Sequence, residues 1–447
     1  MMKKSLLKIL TVILTAVILL SMAACGTGNN TAETTAPAKG GSTTAAVTPT
    51  EGPAEKPVEI AYWGDWGGEG QKQFETMMDA FNKSQKKIVA KYVVTQDMIT
   101  KFLTAASSGQ SPDIMFWDRW RTVLYAPKGV LYPINDYMAK DNVKIEDFYT
   151  EAVRELTYNN KIYGLPLTVD ARALFYNKKF LTEKGITNPP TTWEELRDVA
   201  IKLTVWNGSK LERSGMSMQD AGLFSMWIQQ AGGQMLTDDG TKTAFNSEAG
   251  LEVLNYWDQM INKDKVYKIG FESGLDQGTD AFATGKTAML FSGPWMLSTY
   301  KNYGKDLEFG IVPPPAGPKG NKGAGIGGFG LVIPEGAKHK DEAWELMKWW
   351  LATPENAAMY CKTSLNIPGL KAATLDTFFS GDELYKPFLQ TFEFAKIRPP
   401  VSGYSTMEEK ALIPNLQLFM EGKQSAADTL KKAQEMGDKI LAENKIQ

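Results

Sequence analysis

Two short segments of the sequence set tryptophan rings beside ionised side chains, a combination suited to binding a polar ligand that has apolar faces. The residues are Trp63, Asp65, Trp66, Trp117, Asp118, Arg119 and Trp120. Aromatic rings can cover the C–H faces of a pyranose sugar, while carboxylates and guanidinium groups bond its hydroxyl edges. Glycines at positions 64, 67 and 68 let the backbone of the first segment approach such a ligand closely.

The chain offers little for nucleophilic, metal or redox chemistry. Its single histidine, His339, precedes a predicted helix with no nucleophile motif beside it, so we interpret it as a solvated loop residue. Cys361 lies on an apolar helical pattern and is predicted to be a small buried side chain. The spaced glycines at 325–330 precede a strand pattern, whereas a dinucleotide fingerprint follows one. We therefore predict no catalytic residue, no metal site and no cofactor.

Carboxylate pairs leave one catalytic alternative open. Asp65 with Glu69, or Asp118 with Asp170, could face a shared cleft, as in a glycoside hydrolase or a polysaccharide lyase. Glycoside hydrolysis needs two carboxyl groups about 5–5.5 Å or 6.5–9.5 Å apart, one of them with a raised pKa. In a chain with 51 acidic residues such pairs also arise by chance, so the sequence does not decide between a binding protein and an enzyme.

The composition is that of a globular protein large enough for two or three domains. Of its 447 residues, 43% are apolar and 22% are charged, and the formal net charge is −2. Since lysine and arginine nearly balance the acidic residues, nothing indicates the basic face of a nucleic-acid-binding protein.

The N-terminus predicts export and lipid attachment. Basic Met1–Lys8 precedes an apolar run at 9–20, which suits a signal peptide and is short for a membrane span. Cys25 follows Ser-Met-Ala-Ala, which resembles a bacterial lipobox with methionine in place of the usual leucine. We predict a signal peptide at 1–24 and a lipid-anchored flexible tether at 25–57. An ordinary secretory signal or an uncleaved anchor is the alternative.

From residue 58 the apolar spacing alternates between strand and helix periods. Strands are predicted at 58–63, 88–94 and 114–117, and helices at 74–81 and 99–106. This order is typical of a parallel sheet with helical crossovers. Ligands of such sheets bind at the carboxyl ends of the strands, which is where both tryptophan-bearing segments fall.

A second α/β unit follows. It begins with a predicted strand at 172–177, and Thr192 with Glu195 forms a capping box at the start of a helix. Further amphipathic helices are predicted at 253–260 and 343–350. The tryptophans that we interpret as packing residues of these helices are Trp193, Trp344, Trp349 and Trp350.

A series of short motifs runs in a recognisable order through the chain. They lie at 80–82, 106–114, 129–136, 162–166, 175–178, 189–196, 282–289 and 292–295, the last reading Ser-Gly-Pro-Trp. In this order they resemble bacterial extracellular solute-binding proteins of the sugar-binding family that includes the maltose-binding protein. The resemblance covers about 58–447. It implies an α/β fold of two lobes, each a mostly parallel sheet flanked by helices, joined by crossing hinge strands.

The resemblance also implies where the lobes divide. One lobe is expected at 58–165 with 312–366, and the other at 166–311 with 367–447.

Further ligand-binding residues are carried over from the family by position. They are Asp170, Arg172, Trp295, Phe329, Arg398 and Tyr404. Trp295 matches the family position at which a tryptophan stacks on sugar, and Asp170 and Arg172 lie where the chain crosses between lobes. The competing interpretations are a core role for Trp295, a lobe-closing Asp170–Arg172 pair, and an ordinary loop salt bridge between Asp65 and Arg119.

The function that the resemblance implies is capture of a sugar, expected to be an oligosaccharide, and its delivery to the permease subunits of an ABC importer. The protein is expected to be a monomer on the extracellular face of the cytoplasmic membrane of a Gram-positive-type bacterium. A same-fold binder of a polyamine, a glycerophosphodiester or an oligogalacturonate is the alternative. Arg119, Arg172 and Arg398 favour an acidic ligand over a cationic one.

Overall fold

A computed structural model describes residues 56–276, 280–303 and 307–444. The predicted signal peptide, Cys25 and almost all of the predicted tether lie outside the described residues. No helix within these ranges is both long enough and apolar enough to cross a membrane.

The described residues form fifteen β-strands. They are β1 Val58–Gly64, β2 Ile88–Val94, β3 Ile114–Asp118, β4 Thr157–Tyr158, β5 Lys161–Ile162, β6 Gly164–Pro166, β7 Thr168–Ala171, β8 Ala173–Asn177, β9 Val205–Asn207, β10 Lys210–Arg213, β11 Met289–Ser292, β12 Phe309–Val312, β13 Ile326–Gly327, β14 Phe329–Val332 and β15 Ile367–Pro368.

The same part of the chain forms seventeen α-helices. They are α1 Gly68–Ser84, α2 Met98–Ser107, α3 Thr122–Tyr125, α4 Asn135–Lys140, α5 Thr150–Glu155, α6 Lys178–Glu183, α7 Trp193–Leu203, α8 Phe224–Gln230, α9 Glu248–Asp258, α10 Met296–Tyr303, α11 Lys340–Leu351, α12 Pro354–Ser364, α13 Thr377–Ser380, α14 Lys386–Thr391, α15 Tyr404–Met407, α16 Ile413–Met420 and α17 Ala426–Glu443.

The first sheet has the strand order β2-β1-β3-β14-β6. The three strands predicted from the alternating pattern pair in parallel, β1 with both β2 and β3. Only β14 runs against its neighbours β3 and β6. The four predicted apolar positions of α1, from Phe74 to Phe81, are buried in the core beneath this sheet. Burial of each such side chain contributes roughly 1.5–3 kcal/mol of free energy. This packing holds α1 against the sheet whose strands β1 and β3 lead into the tryptophan-bearing segments.

The second sheet has the order β11-β8-β12, and both of its pairings are antiparallel. Because β11 and β12 flank β8 on opposite sides and both run against it, they are parallel to each other and are connected through α10. The expected parallel direction therefore holds for β11 and β12. Strand β8, by which the chain enters this sheet from the first, is antiparallel to both.

The predicted capping box precedes α7, with a shift on one side. Thr192 Oγ1 accepts a hydrogen bond from the Glu195 amide at 3.2 Å, whereas Glu195 Oε2 accepts from the amide of Thr191 at 2.7 Å instead of that of Thr192. Trp193 is 2% exposed and donates from Nε1 to Gln230 Oε1 at 2.7 Å. Its packing role is confirmed.

A small third sheet, β13-β7-β15, joins the two larger ones. Its middle strand β7 pairs antiparallel with β13 and with β15, directly after β6 leaves the first sheet. Before β13 the chain still packs on the α/β unit that contains the second sheet and α7. Ala316 forms a β-bridge with Thr192, and Gln230 Nε2 donates to the Gly323 carbonyl at 2.9 Å. The chain thus reaches the third sheet at Ile326 and the first sheet at Phe329, whereas the resemblance places a lobe boundary at 312.

Residues interpreted as structural lie in the cores. Cys361, on α12, is wholly buried, and burial raises the pKa of its thiol well above the usual value. Trp344 and Trp350 of α11 are at most 2% exposed, and Trp349 packs partly buried beside them. His339 immediately precedes α11 and is half-buried.

Candidate ligand-binding site

One wall of the candidate site is a cation–π stack on the second sheet. Trp295 follows β11 after Gly293 and Pro294, and 38% of it is exposed. The guanidinium carbon of Arg172 lies 4.4 Å from the centre of the Trp295 ring. A Cβ at Gly293 would lie only 1.9 Å from Trp295 Cζ3, so the ring can rest against this turn only because residue 293 is glycine.

The crossing strand β7 places a carboxylate beside this stack. Burial raises the pKa of Asp170, and Arg172, Arg119 and Arg398 oppose that rise, as does the amide of Gly327. Burial likewise lowers the pKa of Arg172, against the attraction of Asp170. A half-buried carboxylate next to cations remains a strong acceptor for ligand hydroxyls.

The opposite wall follows β3 of the first sheet. Trp120 Nε1 donates to Asp118 Oδ2 at 2.6 Å, which fixes the indole beside the carboxylate. Burial raises the pKa of Asp118, while Arg121, Arg119 and Arg398 lower it. Trp120 and Asp118 are both half-buried, so an aromatic face and a carboxylate are presented together.

Arg398 links the two walls electrostatically. It is close enough to the carboxylates of Asp118 and Asp170 to lower the pKa of each. Its Nε donates to Glu408 Oε2 at 3.2 Å, and 51% of its side chain is exposed. Asp118 and Asp170, which were predicted from distant parts of the sequence, thus both lie within electrostatic reach of Arg398.

A narrow crevice lies between the turn that carries Trp120 and the 398–405 segment. It is lined by Trp120, Val123, Glu155, Arg398, Pro399, Pro400, Val401 and Ser405. Its volume of about 10 Å³ is close to that of a single water position, far below a sugar ring. A larger ligand can therefore enter only if the 398–405 segment and the Trp120 turn move apart.

A second cavity of about 30 Å³ lies on the second unit. It is lined by Ser217, Met218, Asp220, Leu223, Trp227, Trp257 and Phe291. Asp220 of this cavity lies within electrostatic reach of Arg172, the cation of the stack on Trp295. Trp257 lines this cavity, and its Nε1 is buried without an acceptor among the described residues.

Trp66, in the loop after β1, packs in an aromatic cluster with side chains of β3 and β14. The centre of the Trp66 ring lies 5.1 Å from that of Phe329 and 4.7 Å from that of Phe116. Trp63 is half-buried against a separate apolar cluster. Asp65 Oδ1 is buried with no hydrogen-bond donor in the described part of the chain. An acceptor in that condition costs free energy until a donor reaches it.

Three predicted contacts require correction because their side chains are used internally. Trp117 is wholly buried in the first unit and donates from Nε1 to Thr122 Oγ1 at 3.2 Å. Tyr404 is 1% exposed, with its hydroxyl donating to Glu408 Oε1 at 3.3 Å. Arg119 is also fully buried. In this conformation none of the three has accessible surface for contacting a ligand. They were predicted as contacts because the pattern of strand and turn does not show which way each side chain points.

Arg119 pairs with Glu155 at 3.0 Å, in place of the salt bridge with Asp65 considered from the sequence. Burial raises the pKa of Glu155 to about 7, against the effect of Arg119. Sequence reasoning missed Glu155, Asp220 and Glu408, since each stands in a segment with no motif and becomes notable only through its partner.

The proposed carboxylate pair Asp65 and Glu69 does not form a shared site. The Glu69 side chain is 74% exposed and pairs with Lys72 at 3.3 Å on the outside of α1. The other pair, Asp118 and Asp170, shares the arginine-rich region described above, which suits charged hydrogen bonding.

Comparison with known proteins agrees with this architecture. The family model described as bacterial extracellular solute-binding protein matches residues 76–387. A Brucella abortus (strain 2308) protein, described only as a binding protein, is 28% identical over 385 residues, which cover 82% of this chain and 89% of that one. The maltotriose-binding protein of Pyrococcus abyssi is 25% identical over 354 residues, covering 76% of this chain and 73% of its own.

Solved structures show the same two-lobe fold. The cyclic alpha-maltosyl-1,6-maltose binding protein of Arthrobacter globiformis superposes with a TM-score of 0.75 at 25% identity, over 87% of this chain and 100% of that chain. The sugar-binding protein MalE of Xanthomonas citri gives a TM-score of 0.77 at 24% identity, over 86% and 98%.

The matched family consists of binding proteins, so the hydrolase and lyase alternatives are set aside. Because the family model spans more than half of the chain, this protein belongs to the bacterial extracellular solute-binding proteins.

Proposed function

We propose that this protein captures a sugar, an oligosaccharide in particular, between its lobes and delivers it to an ABC-type permease. The observation that carries the proposal is the exposed Trp295 ring stacked on Arg172 at the end of β11. An aromatic face beside a guanidinium matches the C–H face and the hydroxyl edge of one pyranose ring. Proteins that bind maltotriose and a cyclic maltosyl-maltose are among the relatives, which supports the ligand class.

The proposed contacts come from both walls and from the crossing strand. Direct contacts are assigned to Trp63, Asp65, Trp66, Asp118, Trp120, Asp170, Arg172, Trp295, Phe329 and Arg398. The buried Oδ1 of Asp65, which has no donor among the described residues, gains one when a ligand hydroxyl arrives. We place the lobes at 58–165 with about 326–366, and at 166 to about 325 with 367–447, since 316 and 323 pack on the second unit.

Closure of the lobes is the mechanism that we propose for retaining the ligand. The crevice beside Trp120 and Arg398 is smaller than a sugar ring, so opening admits the ligand and closing removes it from water on both sides. The permease then distinguishes the loaded, closed form from the open one. Micromolar affinity corresponds to about −8 kcal/mol, which a few stacked rings and charged hydrogen bonds can supply after ordering costs.

The ligand class is tested by a thermal-shift screen of neutral and uronic mono- and oligosaccharides. A ligand that binds only the folded state at 100 times its Kd stabilises the protein by about 2.7 kcal/mol, which is readily seen as a higher melting temperature. A panel in which an oligosaccharide stabilises the protein supports the proposal. Stabilisation by a polyamine or a glycerophosphodiester and by no sugar contradicts it.

The anchor is part of the same proposal. We infer that Cys25 carries lipid and holds the protein at the outer face of the cytoplasmic membrane, as a monomer on its tether. Replacing Cys25 by serine is expected to move the protein from the membrane fraction to the medium of a Gram-positive host. Retention of the Cys25→Ser protein in the membrane fraction contradicts lipid anchoring.

A further inference from the structure

Arg119 stands between two half-buried residues of the proposed ligand site, Asp118 and Trp120, but points the opposite way. Its side chain has no exposed surface. Nε donates to Glu155 Oε2 at 3.0 Å, and Nη1 donates to the carbonyl of Phe329 at 3.2 Å. Four of its five N–H groups are engaged in all, counting two further carbonyl contacts, so the guanidinium is satisfied without any ligand.

Those two further contacts reach the crossing strands. Nη1 also donates to the carbonyl of Thr168, and Nη2 donates to the carbonyl of Gly327. Thr168 is the first residue of β7, and Gly327 is the last residue of β13. The guanidinium therefore lies where β7 and β13, two of the three strands of the third sheet, adjoin the first sheet.

The backbone around this point is shaped to admit the guanidinium. Gly328 has φ of +125°, a region that side chains with a Cβ rarely adopt. A Cβ there would lie 2.4 Å from the Thr168 carbonyl oxygen and 2.7 Å from Arg119 Nη1. The Gly328 carbonyl also accepts the Arg119 amide at 3.4 Å. The lack of a side chain at Gly328 thus leaves the space that the Arg119 guanidinium occupies.

We propose that Arg119 is a positioning residue that sets the pivot of lobe closure and couples the Asp118–Trp120 turn to the crossing strands. The carbonyls of Thr168 and Gly327 are held to the first lobe, so rotation starts beyond these residues and not within the sheet. Because the same turn carries Asp118 and Trp120, displacement of that turn by a bound ligand is transmitted to the hinge. The coupling to ligand depends on the proposed function, whereas the pivot does not.

The pivot is tested without any sugar, by measuring interlobe distances with double electron–electron resonance. Spin labels are placed at Lys86→Cys and Lys202→Cys, both exposed and on different lobes, in a chain carrying Cys25→Ser. Cys361 is wholly buried and does not compete for label. The distance distribution of the ligand-free protein reports how tightly the pivot restricts the lobes.

Arg119→Lys retains the charge but cannot make the four contacts, and is expected to broaden the distribution by about half or more. Gly328→Ala, which leaves Arg119 in the chain, is expected to broaden it as well. Arg154→Lys is the matched control, since the half-exposed Arg154 of α5 pairs with Glu151 and with no other carboxylate among the described residues. It is expected to match the wild type.

A double variant separates positioning from stability. Arg119→Met with Glu155→Gln removes both buried charges, so it is expected to melt higher than Arg119→Met alone while its distribution stays broad. If Arg119→Lys and Gly328→Ala melt lower but retain the wild-type width, Arg119 is only a structural residue and the proposal is wrong. If Arg119→Lys does not fold, the width for Gly328→Ala decides in the same way. A sugar screen that finds no ligand leaves this result unaffected.

Discussion

The guanidinium of Arg172 lies over the indole of Trp295, with 4.4 Å between the guanidinium carbon and the ring centre. The two residues come from different segments, a crossing strand and the turn after β11, so the stack exists only in the folded chain. A cation held over one face leaves the exposed part of the ring available to a sugar. It also holds the ring in place before the ligand arrives, which reduces the ordering cost of binding.

Gly293→Ala is expected to lower sugar affinity about 10- to 100-fold, although no proposed contact residue is changed. The added Cβ would lie 1.9 Å from Trp295 Cζ3, so the indole must leave its position over the turn. Calorimetry with the sugar found by the screen measures the effect. Gly274→Ala is a suitable control, since its Cβ would meet only the carbonyl oxygens of Gly270 and Phe271, at 3.1 and 3.6 Å, and no proposed contact residue. Unchanged affinity of Gly293→Ala would show that the position of the ring is unimportant.

Trp117 and Trp120 are three residues apart and are expected to respond oppositely to replacement by phenylalanine. Trp117→Phe removes buried volume and the bond to Thr122, so the free energy of unfolding should fall by about 1–3 kcal/mol with affinity preserved. Trp120→Phe removes the bond to Asp118 and should weaken binding severalfold with a smaller loss of stability. Denaturant unfolding and calorimetry on both variants check this. A loss of affinity confined to Trp117→Phe would reverse the assignment.

Glu155 is expected to make stability fall as the pH rises from about 4.5 to about 7. Burial raises its folded-state pKa to about 7, so the folded protein binds more protons than the unfolded chain within this window. The stabilising contribution is complete below the unfolded pKa and is lost through the folded one, on the order of 3 kcal/mol. Chemical denaturation between pH 4.5 and pH 8 measures it.

The control for this pH effect is a pair of glutamine variants. Glu155→Gln should show a smaller fall, since only the buried carboxyls with raised pKa values such as Asp118 and Asp170 remain, while Glu345→Gln, whose side chain is half exposed beside Lys348, should retain the full fall. Equal pH profiles for the wild type and Glu155→Gln would contradict a raised pKa.

Periodicity predicted the elements well where apolar spacing is strong. The five elements from 58 to 117 are present, and β1 pairs in parallel with β2 and β3 as expected. The second sheet was predicted less well, because strand direction depends on long-range pairing that spacing within β8 does not encode. The lobe boundary that we propose near 326 differs from the one expected at 312, because the 313–325 segment has no regular period and its contacts with Thr192 and Gln230 are distant in sequence.

Residue types predicted the chemistry of the candidate site but not the orientation of each side chain. Within the Trp117–Trp120 run, the structure buries Trp117 and Arg119 and leaves Asp118 and Trp120 half-buried, with Trp120 lining the crevice. Alternation along the end of β3 would have suggested that division, yet the mixture of aromatic and charged types obscured it. Glu155 could not have been found, because its role depends on Arg119, 36 residues away.

The central claim is that Trp295 contacts bound sugar, and the most direct measurement is calorimetric titration of wild type and Trp295→Ala with the oligosaccharide that raises the melting temperature most. Loss of a stacking ring at the centre of a site costs about 2 kcal/mol or more, so affinity should fall at least about 30-fold. The melting temperature without ligand should change little, since the ring is 38% exposed. Trp206→Ala, which removes a ring whose Nε1 donates to the Lys265 carbonyl on the outer surface, should bind as the wild type does. Equal affinity of Trp295→Ala and wild type would contradict the account.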